Sequence, residues 1–140
     1  PYVLTHSRGN SKTMDSLAKY NNVIKDVKNE LSKQIDLALS KGTKNEQIII
    51  DPGIGFAKNV DQNLTLLRNL DEFVSMNYPV LIGASRKRFI GSIINESDPN
   101  KRIFGTAAVA ARCVIAGVNI LRVHDIEQIS QVILMTRSII

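Results

Sequence analysis

One cysteine, no tryptophan and few aromatics are the first constraints this chain sets. A lone Cys113 cannot close an internal disulfide, which fits a reducing compartment, the cytoplasm or an organellar stroma or matrix. With aromatics at 5%, the stacking platforms of single-strand nucleic-acid binders are lacking, although the net charge is +5. The basic residues are scattered, and their densest group, Arg86-Lys87-Arg88, is short. Nucleic acid is therefore not the expected partner, and small anionic ligands explain the same charge balance. No apolar run approaches the ~20 residues of a membrane-spanning helix, so no membrane partner is expected either. The opening Pro1-Tyr2-Val3-Leu4 has neither an initiator Met nor the basic and apolar regions of a secretory signal.

What is present is a repeated unit. Short apolar runs occur at Tyr2-Val3-Leu4, Gln47 to Ile50, Val80-Leu81-Ile82 and Ile120 to Val123. Each is followed by a polar or glycine-containing turn and then a helix-period segment. Brief, β-branched, nearly continuous runs suit strands buried on both faces of a parallel sheet. The first helix is marked by Val23, Val27, Leu31, Ile35 and Leu39, with Gly42 as its stop. A second is expected to cap near Asp61 and run through Leu64, Leu67, Leu70, Phe73 and Val74. A third spans Thr106 to Ala116, and a last one starts near Ile126 and reaches Thr136. Repeated strand–helix units admit a doubly wound sheet or a (β/α)8 barrel. A whole barrel takes ~250 residues, so four units would be half of one.

Polar residues gather after every strand: Thr5 to Gly9, Asp51-Pro52-Gly53, Ser85-Arg86-Lys87 and Arg122 to Asp125. In a parallel sheet these C-terminal ends share one rim, where α/β ligand sites form. Asp51 reads either as a turn cap or as a buried acceptor for a planar N–H-bearing ligand, with Gly53 and Gly55 allowing close approach and Phe56 an apolar wall. After Gly83, alternation of Ser85 and Lys87 would place both on one side of an extended segment; the other reading is a solvated basic loop. Arg122 and His124 alternate on a strand that reads as buried, where an arginine needs an anionic partner. That partner is either a structural carboxylate, Asp125 or Asp51, or a phosphate. His6 and His124 lack metal-ligand spacing, no Gly-x-Ser-x-Gly elbow is present, and Cys113 reads as core filling.

Four blocks together resemble the later motifs of dihydropteroate synthases: His6-x-Arg8-Gly9 with Thr13-Met14, Asp51-Pro52-Gly53-Ile54-Gly55-Phe56-x-Lys58, Gly83-x-Ser85-Arg86-Lys87 and Arg122-Val123-His124-Asp125. The resemblance covers essentially the whole chain. It implies the C-terminal half of a TIM (β/α)8 barrel, strands five to eight with their helices, forming one partial pterin-binding domain over residues 1–140. It further implies a transferase of folate biosynthesis that joins hydroxymethyl-dihydropterin pyrophosphate to p-aminobenzoate. Asp51 would bind the pterin, with Lys87 beside it; Gly55 and Gly83 would border the substrates; Ser85 would receive aminobenzoate or a sulfonamide mimic; Arg122 and His124 would hold the leaving pyrophosphate. Mg²⁺ is implied with its ligand outside this chain, as are a homodimer at full length and a cytoplasmic location. Thr5 and Ser7 depart from the apolar residues, often Met, common around that histidine, and Arg88 from a frequent Ser.

The remaining family elements, four strands with further pterin-binding and metal-ligating residues, are absent. Half a barrel leaves sheet edges open, so these residues alone are expected to be inactive and poorly stable. Two other readings are a pterin-binding methyltransferase barrel, which shares the Asp51-Pro52-Gly53 site but has no obvious need for Ser85-Arg86-Lys87 and Arg122-x-His124, and a noncatalytic half-barrel binding module.

Overall fold

A computed structural model describes residues 1–140 throughout. Four short strands, β1 (Tyr2–Thr5), β2 (Ile48–Asp51), β3 (Leu81–Ile82) and β4 (Ile120–Leu121), alternate with helices. The helices are α1 (Val23–Ser40), α2 (Val60–Arg68), α3 (Asp71–Val74), α4 (Arg88–Ile94), α5 (Ile103–Ile115) and α6 (Ile126–Ser138). β1 pairs with β2 in parallel, Tyr2 opposite Ile48 and Thr5 opposite Asp51. β3 pairs in parallel with β4, Leu81 opposite Ile120. A single parallel bridge, Ile50 to Val80, joins the two pairs, so the strands run in chain order. No helix is long and apolar enough to cross a membrane.

The β-branched runs form strands because helices cover them. Val27, Leu31 and Ile35 of α1 pack with Ile48 and Ile50 of β2, Leu66 and Leu70, Phe73, and Val80 and Ile82, each at most 5% exposed. Burying one such side chain is worth about 1.5–3 kcal/mol, and truncating Phe73 would cost about 3–5 kcal/mol. Cys113 is wholly buried in this core, and burial pushes its thiol up to about 12. Asn22 caps α1 by accepting the Lys25 N–H at 3.0 Å, and the helix stops before Gly42.

Four expectations are corrected. The cap of α2 is Asn59, not Asp61: Asn59 and Gln62 exchange reciprocal 2.9 Å bonds in a capping box. The helix also breaks at Asn69, and Phe73 and Val74 belong to α3. Residues 88–94 form α4, too short to show a full hydrophobic period, and α5 starts at Ile103 rather than Thr106. Finally, β4 ends at Leu121 on a sheet edge, so Arg122 and His124 lie exposed beyond it instead of on a buried strand.

That edge and the opposite one, where Tyr2 is 55% exposed, leave apolar surface uncovered. More lies on the outer helices, at Phe104, Leu134 and Met135.

Candidate functional site

The rim begins with Asp51, the last residue of β2 and only 2% exposed. Its Oδ1 accepts the Gly53 N–H at 2.8 Å and its Oδ2 accepts the Thr5 hydroxyl at 3.3 Å. Burial raises its pKa above the ordinary carboxylate value; the Gly53 N–H, the Lys87 ammonium, the Thr5 hydroxyl and Arg122 oppose that rise. The chain turns sharply after it. Gly53 has φ +71°, and a Cβ there would sit 1.9 Å from the His6 carbonyl oxygen. Gly55 has φ +81°, and its Cβ would meet the Lys87 side chain at 2.6 Å. Only glycine fits at Gly53, and at Gly55 the positive φ favours it.

Lys87 links this loop to the next strand. Its Nζ donates to the Ile54 carbonyl and lies 4.0 Å from the centre of the Phe56 ring, a cation–π contact. Burial lowers its pKa to about 8, with Asp51 pulling upward and Arg122 adding to the fall. Beyond it, Gly83, Ser85, Lys87, Arg122, Val123 and His124 line a cleft of about 160 Å³. Ser85 Oγ and His124 Nδ1 are 2.9 Å apart, and the His124 N–H donates to the same hydroxyl at 3.3 Å. The guanidinium of Arg122 lies across Gly83, where a Cβ would come within 2.9 Å of it.

Ser85 and Lys87 do reach one cleft, but not by alternation in an extended segment. Ser85-Arg86 is a turn, Arg86 has φ +60°, and the Lys87 N–H donates back to the Ala84 carbonyl at 3.2 Å. Arg86 thereby swings outward and takes Asp125 with two of its nitrogens. Asp125 is thus not the partner of Arg122, and neither is Asp51: Arg122 makes no side-chain hydrogen bond or ion pair. No three His, Cys, Asp or Glu side chains gather in a way that could hold a metal ion.

On the other side of Lys87 a wider groove of about 590 Å³ opens, with Gly55, Lys58, Asn63 and Arg88 among its walls. Several groups at this rim escape sequence reasoning. Asn63, buried on α2, accepts the Gly55 N–H at 2.6 Å and donates to the Lys58 and Asn59 carbonyls. His6 is wholly buried, with Nε2 2.9 Å from Glu30 and Nδ1 2.9 Å from Lys58 Nζ. Burial lowers His6 to about 4, helped by Lys58 and opposed by Glu30. Burial likewise lowers Lys58 to about 7, with Asp51 and Glu30 pulling upward. Nothing in the amphipathic pattern of α1 marks Glu30, and Lys58 is visible only as the end of a motif.

Parallel βα units with a buried carboxylate at one strand end and a cationic cleft at the next two define an α/β ligand-binding enzyme rim. Residues 1–124 match the model of the pterin binding enzyme family, and the chain belongs to that family. Relatives within the family include dihydropteroate synthases. That of Synechocystis is 47% identical over 94% of this chain and 46% of its own length. The Escherichia coli enzyme is 39% identical over 91% of the chain and 45% of its length. Among solved structures, dihydropteroate synthase from Thermus thermophilus in complex with 4-aminobenzoate superposes with a TM-score of 0.93 at 38% identity, over 99% of this chain and 53% of that one. The Yersinia pestis synthase with a sulfonamide drug superposes at 0.95 with 29% identity, over 99% and 50%. The chain therefore spans about half the length of these relatives.

Proposed function

We propose that the protein containing this chain is a dihydropteroate synthase, and that these residues are strands five to eight, the C-terminal half, of its (β/α)8 barrel. The observation that carries the reading is the unpaired Arg122 guanidinium in a cleft shared with Lys87 and His124, beside the buried Asp51. Such a cleft suits an anion, and the adjoining carboxylate suits a planar heterocycle with parallel N–H donors.

In this reading Asp51 orients the pterin, Gly53 and Gly55 let its ring lie against backbone, and Phe56 with Lys87 closes the pocket toward p-aminobenzoate. Ser85 and Gly83 border the acceptor. Arg122 and His124 hold the pyrophosphate. The bond from the pterin methylene carbon to the pyrophosphate oxygen breaks, and the arylamine nitrogen bonds to that carbon and gives up one proton. Donors fixed around the departing oxygens stabilise the charge that develops there, which is how preorganised electrostatics accelerates such a transfer. The carboxylates nearest the rim are already engaged, Asp51 by Gly53 and Thr5, Asp125 by Arg86, Glu30 by His6 and Arg8. A Mg²⁺ ion accompanying the pyrophosphate would accordingly take its protein ligands from outside these residues. The whole enzyme is proposed to work as a cytoplasmic homodimer, and the half-barrel alone to be inactive.

The test joins this chain to the missing half from a homologous synthase and measures dihydropteroate and pyrophosphate release, with Lys87→Ala as control. Turnover that collapses in the control supports the reading. A folded chimera that binds pterin but releases no pyrophosphate rejects it in favour of a methyltransferase or a noncatalytic module.

A further inference from the structure

We propose that Lys58 is a positioning residue for pterin recognition, holding the Gly53–Phe56 loop in its binding shape from beneath. The inference rests on the pterin assignment above and adds a residue that touches no reacting atom.

Lys58 is 7% exposed, yet no carboxylate is bonded to it. Its Nζ instead meets three acceptors: the Gly53 carbonyl at 3.0 Å, the Phe56 carbonyl at 2.9 Å and His6 Nδ1 at 2.9 Å. An ammonium carries three N–H donors, so the set is complete. The imidazole fits the same count. With its proton on Nε2, aimed at Glu30, His6 presents Nδ1 as an acceptor. Glu30 is held in turn by Arg8, whose Nε lies 3.2 Å from both carboxylate oxygens and whose guanidinium stacks 4.0 Å from the Tyr20 ring centre. The Tyr20 hydroxyl donates to the Ala57 carbonyl at 3.0 Å, so the network returns to the residue beside Lys58.

The two carbonyls that Lys58 holds flank Ile54 and Gly55. Those residues supply the carbonyl that Lys87 bonds and the N–H that Asn63 accepts, and Phe56 supplies the ring under Lys87. The Gly53 turn also donates the N–H that aims Asp51. Most contacts that shape the pterin side of the rim thus hang on the segment this ammonium holds, the Thr5 hydroxyl on Asp51 being the exception. The anion side does not, since Ser85 and His124 bond each other and Arg122 follows β4, its backbone N–H donating to the Ile82 carbonyl.

The test is calorimetry on the full-length protein with two probes, a pterin and pyrophosphate, comparing wild type with Lys58→Met. Pterin affinity is expected to fall by roughly 10- to 100-fold, the scale of a misplacement of about 1 Å, while pyrophosphate affinity stays within about twofold. Lys58→Gln, whose amide offers two donors for three acceptors, is read the same way with a smaller loss and serves if the Met variant does not fold. Unchanged pterin affinity in a folded variant overturns the inference. An equal loss for both probes also overturns it, because that marks general destabilisation. A wild-type protein that binds neither probe overturns the proposed function as well, which separates the two failures.

Discussion

The loop after β2 and the rim beyond β3 and β4 answer the same problem, polar groups at the mouth of a sheet, in opposite ways. Around Asp51 every polar group is spoken for: the carboxylate by Gly53 and Thr5, Lys58 by three acceptors, Asn63 by Gly55 and two carbonyls. At the other region Arg122 stands exposed with no partner, and Lys87 is shared between an aromatic face and one carbonyl. A closed network fixes the shape offered to a neutral, flat ligand. An open pair of cations leaves charge to be neutralised by whatever anion arrives. The difference is the one that the proposed reaction asks for, in which one part of a substrate is kept and the other released.

The largest expected effect comes from breaking the closed region. Gly53→Ala places a Cβ 1.9 Å from a backbone oxygen at φ +71°, and backbone cannot yield as a flexible side chain can. Loss of all measurable pterin binding in the full-length protein is expected, checked by calorimetry, with pyrophosphate binding retained. The open region should fail separately. Arg122→Ala is expected to weaken pyrophosphate by about 1.5–3 kcal/mol, the worth of hydrogen bonds to a charged group, and to leave pterin affinity unchanged. Equal losses for both ligands in either variant would erase the distinction between the regions.

The contrast sharpens with pH. Lys87, lowered to about 8 by burial, attracts the carboxylate of p-aminobenzoate in the proposed site only as an ammonium, so p-aminobenzoate affinity should fall as pH rises through about 8. Folding stability should move the other way. The unfolded chain keeps its lysines protonated to about 10.4, so between about 8 and that value it binds more protons than the folded one, and stability rises with pH. Calorimetric titrations and denaturation midpoints across pH 7 to 10 would show the crossing trends. In Lys87→Met both trends from this residue should vanish.

The same two regions explain what was legible in the sequence. Ile48-Ile49-Ile50 and the four-residue stripe of α1 announce themselves because burial sets their period. Asp51, Gly55 and Phe56 are readable as a block because one turn delivers them, and local chemistry is written locally. Residues whose roles depend on distant partners are not. Glu30 finds His6 from another element, Asn63 lies on a helix face whose other residues say nothing of a loop, and the Asp61 cap lost to Asn59 because a box with Gln62 satisfies two orphan donors rather than one. Ser85 and Lys87 reach one cleft through a turn rather than by alternation, and the partners that hold that turn, Thr106, Arg102, Asp125 and Asn100, lie far along the chain.

The smallest expected effect concerns Thr5, which stands where apolar residues are common in the resembling family and which here donates to Asp51 Oδ2 at 3.3 Å. That distance is long, so Thr5→Val should cost about 0.5–1.5 kcal/mol of pterin affinity, the range of an ordinary hydrogen bond. Its sign with pH is more telling than its size. Burial already holds the Asp51 pKa above its ordinary value, and the hydroxyl is one of the groups restraining it. Removing the donor raises that pKa further, so the carboxylate is protonated earlier as pH falls. Pterin affinity in Thr5→Val should therefore decline at a higher pH than in wild type, while near neutrality the two differ little. An acid limb that stays where it was would show that the Gly53 N–H alone sets the charge state of Asp51, and that the closed region is closed by one strand rather than two.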